Sequence, residues 1–458
     1  MANIAPPPVS ACGRSTLPTR GRDGARADAP ERAEPTVSAP PSPLWGGSAR
    51  SAGVGARATL AFLFWLLLLA TPVFAQPVES FSSFLRNFEP KAVAAGVSAE
   101  VYRRATEGLT PDPNVPDLVT TQPEFTTPIW DYIEKRVSSG RIERGQAAID
   151  ANRRLFEAVG RATGVDPYIL GAIWGMETDY GAVLGNAKLI RPIIRSLATL
   201  VHQRRGRLKE DEADFIAALL LLQREGMAPD QLVGSWAGAI GHLQVNPSNV
   251  IAHGSDGDGD GKIDLHNSLA DALATSARFL IDLGYRPGMD WGFEVSVPDG
   301  FDYMLATRDE LRPVAFFAER GVERVKGRKF ADLAQPVFLY VPAGRNGPKF
   351  LMTQNYLVLK GYNFSDSYAL SVAHMADRLK GSGGFAQDWP RATKFPNLTQ
   401  RKAIQQALIE LGLYDGVVDG RIGPVSQQAY AKFQASRGEV ADGFITLESY
   451  EELAAATR

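Results

Sequence analysis

Residues 166–181 read DPYILGAIWGMETDYG, in which one carboxylate, Glu177, stands among glycines and apolar residues. Asp166 followed by Pro167 is typical of a helix start, because aspartate caps a first turn and proline suits its first position. The residues that follow would cover most of the helix surface with apolar side chains: Ile169, Ile173, Trp174 and Met176. The pattern therefore predicts a helix buried inside the protein, with Glu177 near its end.

Two interpretations of Glu177 are open from this stretch alone. A carboxyl group in an apolar wall resists ionisation, so it could give a proton to a leaving oxygen and later take it back. Alternatively, Glu177 caps the helix or pairs with an arginine. Asp179 lies two residues further on and would point to another face of the helix, which makes it a poor second catalytic group.

Length and composition narrow the class of protein. With 458 residues, the chain is long enough for two or three folded units. Its net charge is −2 and its basic residues are scattered, so it lacks the positive surface of a dedicated nucleic-acid binder. Nucleic acid is therefore not an expected partner. Cys12 is the single cysteine, which excludes an intrachain disulfide and a thiolate metal cluster.

The first part of the chain has the composition of a leader. Residues 1–56 are rich in Pro, Ala, Gly, Ser and Arg, which predicts disorder. Residues 57–75 combine an arginine, an apolar run and VFA before Gln76, a pattern typical of a cleaved signal peptide. We expect export to the periplasm, with membrane attachment only if this segment stays uncleaved.

The remainder divides into two predicted domains. Residues 81–380 mix helical periodicity with Gly- and Pro-rich loops, and β-like runs at 335–343 and 356–362 predict a minor sheet. Residues 381–397 have the Gly, Ser and Pro content of a linker, and residues 398–458 predict a module of three short helices. The expected fold class is mainly α, with a minor β element in the larger domain.

Two further stretches carry candidate binding residues. SWAGAIGHLQVNPSN, at residues 235–249, is rich in small residues and includes Ser235 and Gln244 as possible hydrogen-bonding groups. By itself this stretch favours a tight loop that packs between helices.

The second stretch, DGDGDGKIDLHN at residues 256–267, has the spacing of a calcium-binding loop. The expected ligands are the side chains of Asp256, Asp258, Asp260 and Asn267 and the backbone carbonyl of Lys262, with Asp264 binding directly or through water. Asn267 stands where such loops usually have a bidentate glutamate, which predicts a weaker, structural site. The alternative is a solvated acidic turn.

In several ordered motifs the chain resembles the lytic murein transglycosylases of the B type. The motifs are METDYG, SLATL, SWAGAIGHLQ, the calcium-type loop and GYNFSDSYALSVAHMADRL, and they span residues 81–380. The resemblance implies a lysozyme-like domain that cuts the bond between N-acetylmuramic acid and N-acetylglucosamine in peptidoglycan and leaves a 1,6-anhydro product. It also implies that Glu177 is the one catalytic carboxyl group.

Other cleft positions follow from the same resemblance. The residues that match them are Ser235, Gln244, Tyr132, Arg207, Tyr362, Asn363 and Tyr368. The chain departs from the family pattern at Val245 and Asn246, where phenylalanine and an apolar residue are usual, and at Arg278 and Phe279, near the place of a cleft tyrosine. The departures at Val245 and Asn246 predict an altered sugar platform. Together the departures leave Glu177 untouched and predict a changed subsite preference and turnover rate.

The end of the chain resembles a three-helix peptidoglycan-binding domain, through IQQALIELGLYDGVVDGRIGPVSQQAYAKFQ and ADGFIT. Glycan strands are thus the expected partner, and a structural calcium ion the expected cofactor. Three rival hypotheses remain: a hydrolytic muramidase of the same fold, a wall-binding scaffold without activity, and a calcium-responsive adaptor.

Overall fold

The computed structural model describes residues 79–115, 127–204 and 208–458. The predicted disordered leader, the predicted signal peptide and Arg207 lie outside these ranges, so those predictions stay predictions. None of the helices in the described ranges combines the length and the apolar character needed to cross a membrane.

The larger helical region is built from helices before, around and after the stretch DPYILGAIWGMETDYG. In chain order they are α1 (Phe81–Ala94), α2 (Ala99–Thr106), α3 (Ile129–Arg136), α4 (Ser139–Ala151), α5 (Arg153–Thr163), α6 (Pro167–Thr178), α7 (Ile193–Gln203), α8 (Leu208–Glu225), α9 (Pro247–His253), α10 (Leu269–Asp282), α11 (Val314–Ala318), α12 (Gln354–Asn363) and α13 (Asp366–Leu379). The apolar faces of all these helices except α11 form one extended core, whereas α11 packs into the core of the sheet described below.

Helix α6 begins as predicted. The Asp166 side chain accepts a hydrogen bond from the backbone N–H of Tyr168, and Pro167 takes the first helical position. Nine of the twelve residues of α6 are buried, because α4, α5, α10 and α13 all pack against it. The helix ends at Thr178, and Asp179 follows in the left-handed conformation with φ 50°.

Glycines allow the close approach of neighbours to α6. A Cβ atom on Gly175 would lie 2.5 Å from the Tyr180 hydroxyl oxygen, and one on Gly145 of α4 would meet the same hydroxyl. A Cβ atom on Gly171 would lie 2.6 Å from Ile149 Cδ1. The ring of Tyr180 is thus wedged between α4 and α6, in space that only glycine leaves open.

A small antiparallel sheet forms a second core beside the helices. Its strands are β3 (Gly292–Ser296), β4 (Arg312–Pro313), β5 (Glu323–Arg324), β6 (Pro336–Tyr340) and β7 (Lys349–Met352), after a short ribbon of β1 (Arg191–Pro192) and β2 (Val233–Gly234). Within the described residues the sheet has five strands in the order β4-β6-β7-β3-β5. The minor sheet is confirmed, and the predicted strand at 335–343 is β6.

The second predicted strand, at 356–362, is wrong, because these residues lie in α12. Thr353 caps this helix by accepting a hydrogen bond from the backbone N–H of Asn355, and the buried Tyr356 and Leu359 lie one turn apart on the same side. A short apolar run suits a strand and a buried helix equally well, so the cap and the tertiary packing decide between them.

The segment 381–397, predicted as a linker, is packed on the helical region. The Phe385 ring stacks on His374 at 4.0 Å between centroids, and Trp389 contacts Trp130. The buried carboxylate of Glu294 accepts hydrogen bonds from the backbone N–H groups of Ala386 and Gln387, at 2.7 and 2.8 Å. These contacts hold the connection in one place.

Three helices follow, in agreement with the predicted terminal module. They are α14 (Leu398–Glu410), α15 (Pro424–Ser436) and α16 (Leu447–Ala456), and they share a core of their own. Asn397 and Gln400 form a capping box at the start of α14. The module contacts the rest of the chain through Phe395 and Phe444 and through Asp442, whose carboxylate accepts from the backbone N–H of Arg345 at 2.9 Å.

We predict that Gly175→Ala lowers the free energy of unfolding by about 1–3 kcal/mol, the usual range for overpacking a filled core. The added methyl group has to displace the wedged Tyr180 ring. Urea denaturation of the variant measures the effect. Gly140→Ala is the matched control, since a Cβ atom there meets Arg144 Nη1 at an ordinary 3.5 Å. Equal stability of the two variants would contradict the wedge.

Candidate active site

Glu177 lies in the last turn of α6, partly buried, and is held by a tyrosine from α13. The Tyr368 hydroxyl donates a hydrogen bond to Glu177 Oε1 at 2.6 Å, and the tyrosine side chain is only 3% exposed. Burial, reinforced by the charge of Glu177, raises the pKa of Tyr368 well above 10. The hydroxyl therefore stays protonated and donates throughout the neutral pH range.

Tyr362 and Tyr132 complete the aromatic surroundings of Tyr368 and Glu177. The Tyr362 hydroxyl donates to the backbone carbonyl of Leu243 at 2.8 Å and lies 3.2 Å from Ser276 Oγ. Burial raises its pKa, and the charge of Glu177 also acts on it. Tyr132 on α3 is buried and close enough to influence the titration of Tyr368. The structure thus brings Tyr368 and Tyr362 near Glu177, with Tyr132 close to Tyr368.

The stretch 235–246, called here the 235–246 loop, forms a tight turn that uses its own polar groups. Ser235 Oγ accepts from the Ala239 N–H at 3.2 Å, and Gln244 Nε2 donates to the Gly241 carbonyl at 2.8 Å. Gln244 has φ 49°, a left-handed conformation that is uncommon for a residue other than glycine. The loop-packing interpretation therefore describes what Ser235 and Gln244 do within the chain itself.

His242 connects this loop to α6 through hydrogen bonds, a role that the sequence motifs did not predict. Its Nδ1 accepts from Trp174 Nε1–H at 3.0 Å, and its carbonyl accepts from Thr178 Oγ1–H at 2.7 Å. Its backbone N–H donates to the Leu265 carbonyl at 2.9 Å. The only sequence signal for this role is a histidine in a stretch otherwise rich in small residues.

Asp179 is engaged elsewhere. Its carboxylate receives hydrogen bonds from Arg144 at 2.9 Å and from Arg141 at 3.2 Å. The left-handed conformation of Asp179 directs its side chain to these arginines on α4. This geometry agrees with the interpretation that Asp179 is not a second catalytic group.

The remaining candidates occupy varied places. Asn363 is the last residue of α12 and is partly buried, whereas Arg207 lies outside the described ranges. Val245 is 2% exposed and pairs with Ile240, so it belongs to the core and not to the surface of a cleft. Phe279 packs between His253 and Tyr362, while Arg278 is exposed. The departure at Val245 therefore does not alter a sugar platform directly.

The acidic loop brings three of its predicted ligands together. One carboxylate oxygen from each of Asp256, Asp258 and Asp260 lies within 4.8 Å of the others, and all three side chains are exposed. Hydrogen bonds from the backbone N–H groups of Gly261 and then Gly259 lower the pKa of Asp256.

The later part of this loop is arranged differently. Asn267 Nδ2 donates to Asp264 at 2.8 Å, so its amide group is directed to that carboxylate. Lys262 contributes a backbone N–H to Asp260. Asp271, which the motif did not include, is buried and accepts from the N–H groups of Gly257 and Asp264, which fixes both sides of the loop.

A buried helix that presents one tyrosine-bound carboxyl group, beside a loop rich in small residues and followed by a three-helix module, is the arrangement expected of a lysozyme-like lytic transglycosylase. The family model for the transglycosylase SLT domain matches residues 80–377, and that for a putative peptidoglycan binding domain matches residues 397–453. Since the first match spans more than half of the chain, the chain belongs to the transglycosylase SLT family.

Relatives of this enzyme agree with the assignment. SltB3 from Pseudomonas aeruginosa, solved in complex with NAG-anhNAM-pentapeptide, is 37% identical, with a TM-score of 0.76 over 82% of this chain and 100% of that one. Membrane-bound lytic murein transglycosylase B of Escherichia coli (strain K12) is 25% identical over 267 residues, which is 57% of this chain and 70% of that protein. Escherichia coli Slt35, solved in complex with calcium, shares the fold at 20% identity, with a TM-score of 0.55 over 65% of this chain and 92% of that one.

We predict that Tyr368→Phe lowers kcat about 10- to 100-fold with little change in KM, because a hydrogen bond to a charged group contributes about 1.5–3 kcal/mol. The variant removes the donor to Glu177 and keeps the ring. Release of soluble fragments from peptidoglycan strands measures the rate. Tyr356→Phe serves as the control, because that buried hydroxyl donates to Asp366 and not to Glu177. Equal activity of the two variants would refute a role for the Tyr368 hydroxyl.

Proposed function

We propose that Glu177 is the single acid and base of this lytic transglycosylase. The observation that carries the proposal is the hydrogen bond from Tyr368 to Glu177 Oε1, which fixes one carboxyl group at the end of a buried helix. Glycosidases commonly use two carboxyl groups, one as acid and one as nucleophile or base. Here Asp179 is paired with Arg141 and Arg144, so a mechanism that needs only Glu177 fits this site better.

The reaction balances without water. Glu177 protonates the oxygen between N-acetylmuramic acid and N-acetylglucosamine, and the bond from that oxygen to the anomeric carbon breaks. The 2-acetamido group of the muramic residue stabilises the positive charge that develops. The glutamate, now a carboxylate, takes the proton from the muramic C6 hydroxyl while that oxygen bonds to the anomeric carbon. The product is a 1,6-anhydro ring, and Glu177 regains its proton.

Two SltB3 complexes support this assignment. One complex holds NAG-anhNAM-pentapeptide and the other NAG-NAM-pentapeptide, so that relative binds fragments with and without the anhydro ring. Because SltB3 is 37% identical and the match covers 82% of this chain, we extend the same class of ligand to the present enzyme. Action on this polymer requires export, for which residues 57–75 are the predicted signal.

The terminal module is proposed to bind the glycan strands of the wall. Its match to a peptidoglycan binding domain and its attachment through the packed segment 381–397 support this role. A weak binder joined to a catalytic domain raises the local concentration of substrate on a polymer.

We predict that Glu177→Gln abolishes lysis of purified sacculi, whereas Asp179→Asn retains activity within about threefold, because asparagine also tolerates a left-handed conformation. Mass spectrometry of the products of the unchanged enzyme should find 1,6-anhydro ends. Reducing muramic ends would instead establish the hydrolytic muramidase. A wild-type protein without activity would favour the scaffold, and an active Glu177→Gln variant would overturn the role of Glu177.

We also propose that the acidic loop binds a structural calcium ion through Asp256, Asp258 and Asp260. Three carboxylate oxygens within 4.8 Å suit a hard divalent cation, and the backbone N–H groups that hold Asp256 keep its carboxylate ionised. Calcium would neutralise the repulsion among these exposed charges. Since Asn267 is bonded to Asp264, a reduced ligand set is expected.

Calcium is expected to raise the unfolding temperature of chelator-treated protein, because a ligand at about 100 times its Kd stabilises the folded state by about 2.7 kcal/mol. Asp258→Asn with Asp260→Asn should remove most of this shift. Asp230→Asn, which changes an exposed acid elsewhere, should leave it intact. If calcium left the unfolding temperature of the unchanged protein where it was, the site would be a solvated turn.

A further inference from the structure

Two residues of α6, one before Glu177 and one after it, are hydrogen-bonded to the same residue of the 235–246 loop. Trp174 lies three residues before Glu177 and donates its indole N–H to the His242 ring at 3.0 Å. Thr178 directly follows Glu177 and donates its hydroxyl to the His242 carbonyl at 2.7 Å. The last turn of α6 is therefore bonded at two points to His242.

His242 is itself held in place by the next segment of the chain. Its backbone N–H donates to the Leu265 carbonyl at 2.9 Å, and the preceding Gly241, at φ 74°, lies so close to that carbonyl that a Cβ atom would collide with it. Its ring also meets the Trp174 indole nearly edge-on, with 5.7 Å between centroids. The residue is thus fixed to the scaffold on one side and to α6 on the other.

The charge state of the imidazole suits this contact. The indole N–H is only a donor, so His242 Nδ1 has to act as an acceptor, which a protonated imidazolium could not do. Burial lowers the pKa of His242 to about 4, with a smaller contribution from His266. The imidazole ring of His242 is therefore neutral at pH values near 7.

Hydrogen bonds from outside a helix restrict its position most at the end of the helix. The last carbonyl groups of a helix have no partners within it, and the final turn frays readily. Glu177 lies in that turn, one residue before the helix ends at Thr178. Displacing a catalytic group by about 1 Å can cost about 100-fold in rate.

We infer that His242 is a positioning residue for the reaction: its two bonds to Trp174 and Thr178 hold the last turn of α6, and with it the Glu177 carboxyl group, in the place where Tyr368 contacts it. The inference rests on the proposed catalytic role of Glu177. His242 does not touch the reacting atoms in this assignment; it acts through the helix that carries them.

The test compares two replacements of His242 on soluble peptidoglycan strands. His242→Leu removes the acceptor, and we expect kcat to fall about 10- to 100-fold while KM changes less than about threefold. His242→Asn places a carbonyl oxygen near the position of Nδ1, and it should recover kcat to within about fivefold of the unchanged enzyme. Rescue by asparagine separates positioning from mere filling of space.

A double-mutant cycle tests the bond itself. Trp174→Phe removes the donor and keeps an aromatic ring, so it should lower kcat, and the double variant with His242→Leu should be no slower than the slower single variant. His374→Leu is the matched control, since this histidine of α13 is also buried with a pKa lowered to about 4, but stacks on Phe385. Its activity per folded molecule should not change.

The outcomes are distinct. If Glu177→Gln is inactive while His242→Leu keeps the kcat of the unchanged enzyme, only the positioning role is overturned. Equal losses in the leucine and asparagine variants, or additive losses in the cycle, would also overturn it. If Glu177→Gln stays active, the proposed function fails first.

Discussion

Close packing around α6 is the constraint on which the rest of the structure depends. Gly171 and Gly175 let Ile149 and the Tyr180 ring approach the helix more closely than any larger residue would permit. With α13 packed on the same helix, Tyr368 reaches Glu177. The position of the carboxyl group is thus a consequence of dense packing on several sides, because a filled interior leaves the helix no room to shift.

The two acidic residues at the end of α6 have partners of different kinds. Asp179 forms ion pairs with Arg141 and Arg144. Glu177 instead accepts a hydrogen bond from the hydroxyl of Tyr368, a buried tyrosine whose pKa is raised by burial. A tyrosine hydroxyl can donate to a carboxylate without adding a second negative charge. This arrangement suits a reaction in which the substrate supplies the nucleophile, since one carboxyl group then serves as acid and as base.

Several features could be predicted from local sequence because they depend on a few neighbouring residues. The start of α6 at Pro167 follows from a cap and a proline, and the cluster of Asp256, Asp258 and Asp260 follows from alternating acids in a turn. The apolar run 356–362 was predicted wrongly because its periodicity is ambiguous and burial in α12 decided it. Val245 looked like a cleft residue, but its side chain lies in the core.

The sequence by itself determined the helical character of the larger domain, the three helices of the terminal module and the motifs that pointed to Glu177. Only the tertiary structure decided which groups bind that carboxyl group and which hold its helix: Tyr368, from 191 residues further along the chain, binds Glu177, and His242 binds Trp174 from 68 residues away. Such partners leave no periodic signal, because a hydrogen bond between distant segments depends on how whole helices pack. Local patterns record propensity and burial, while the geometry of a site is a property of the assembled core.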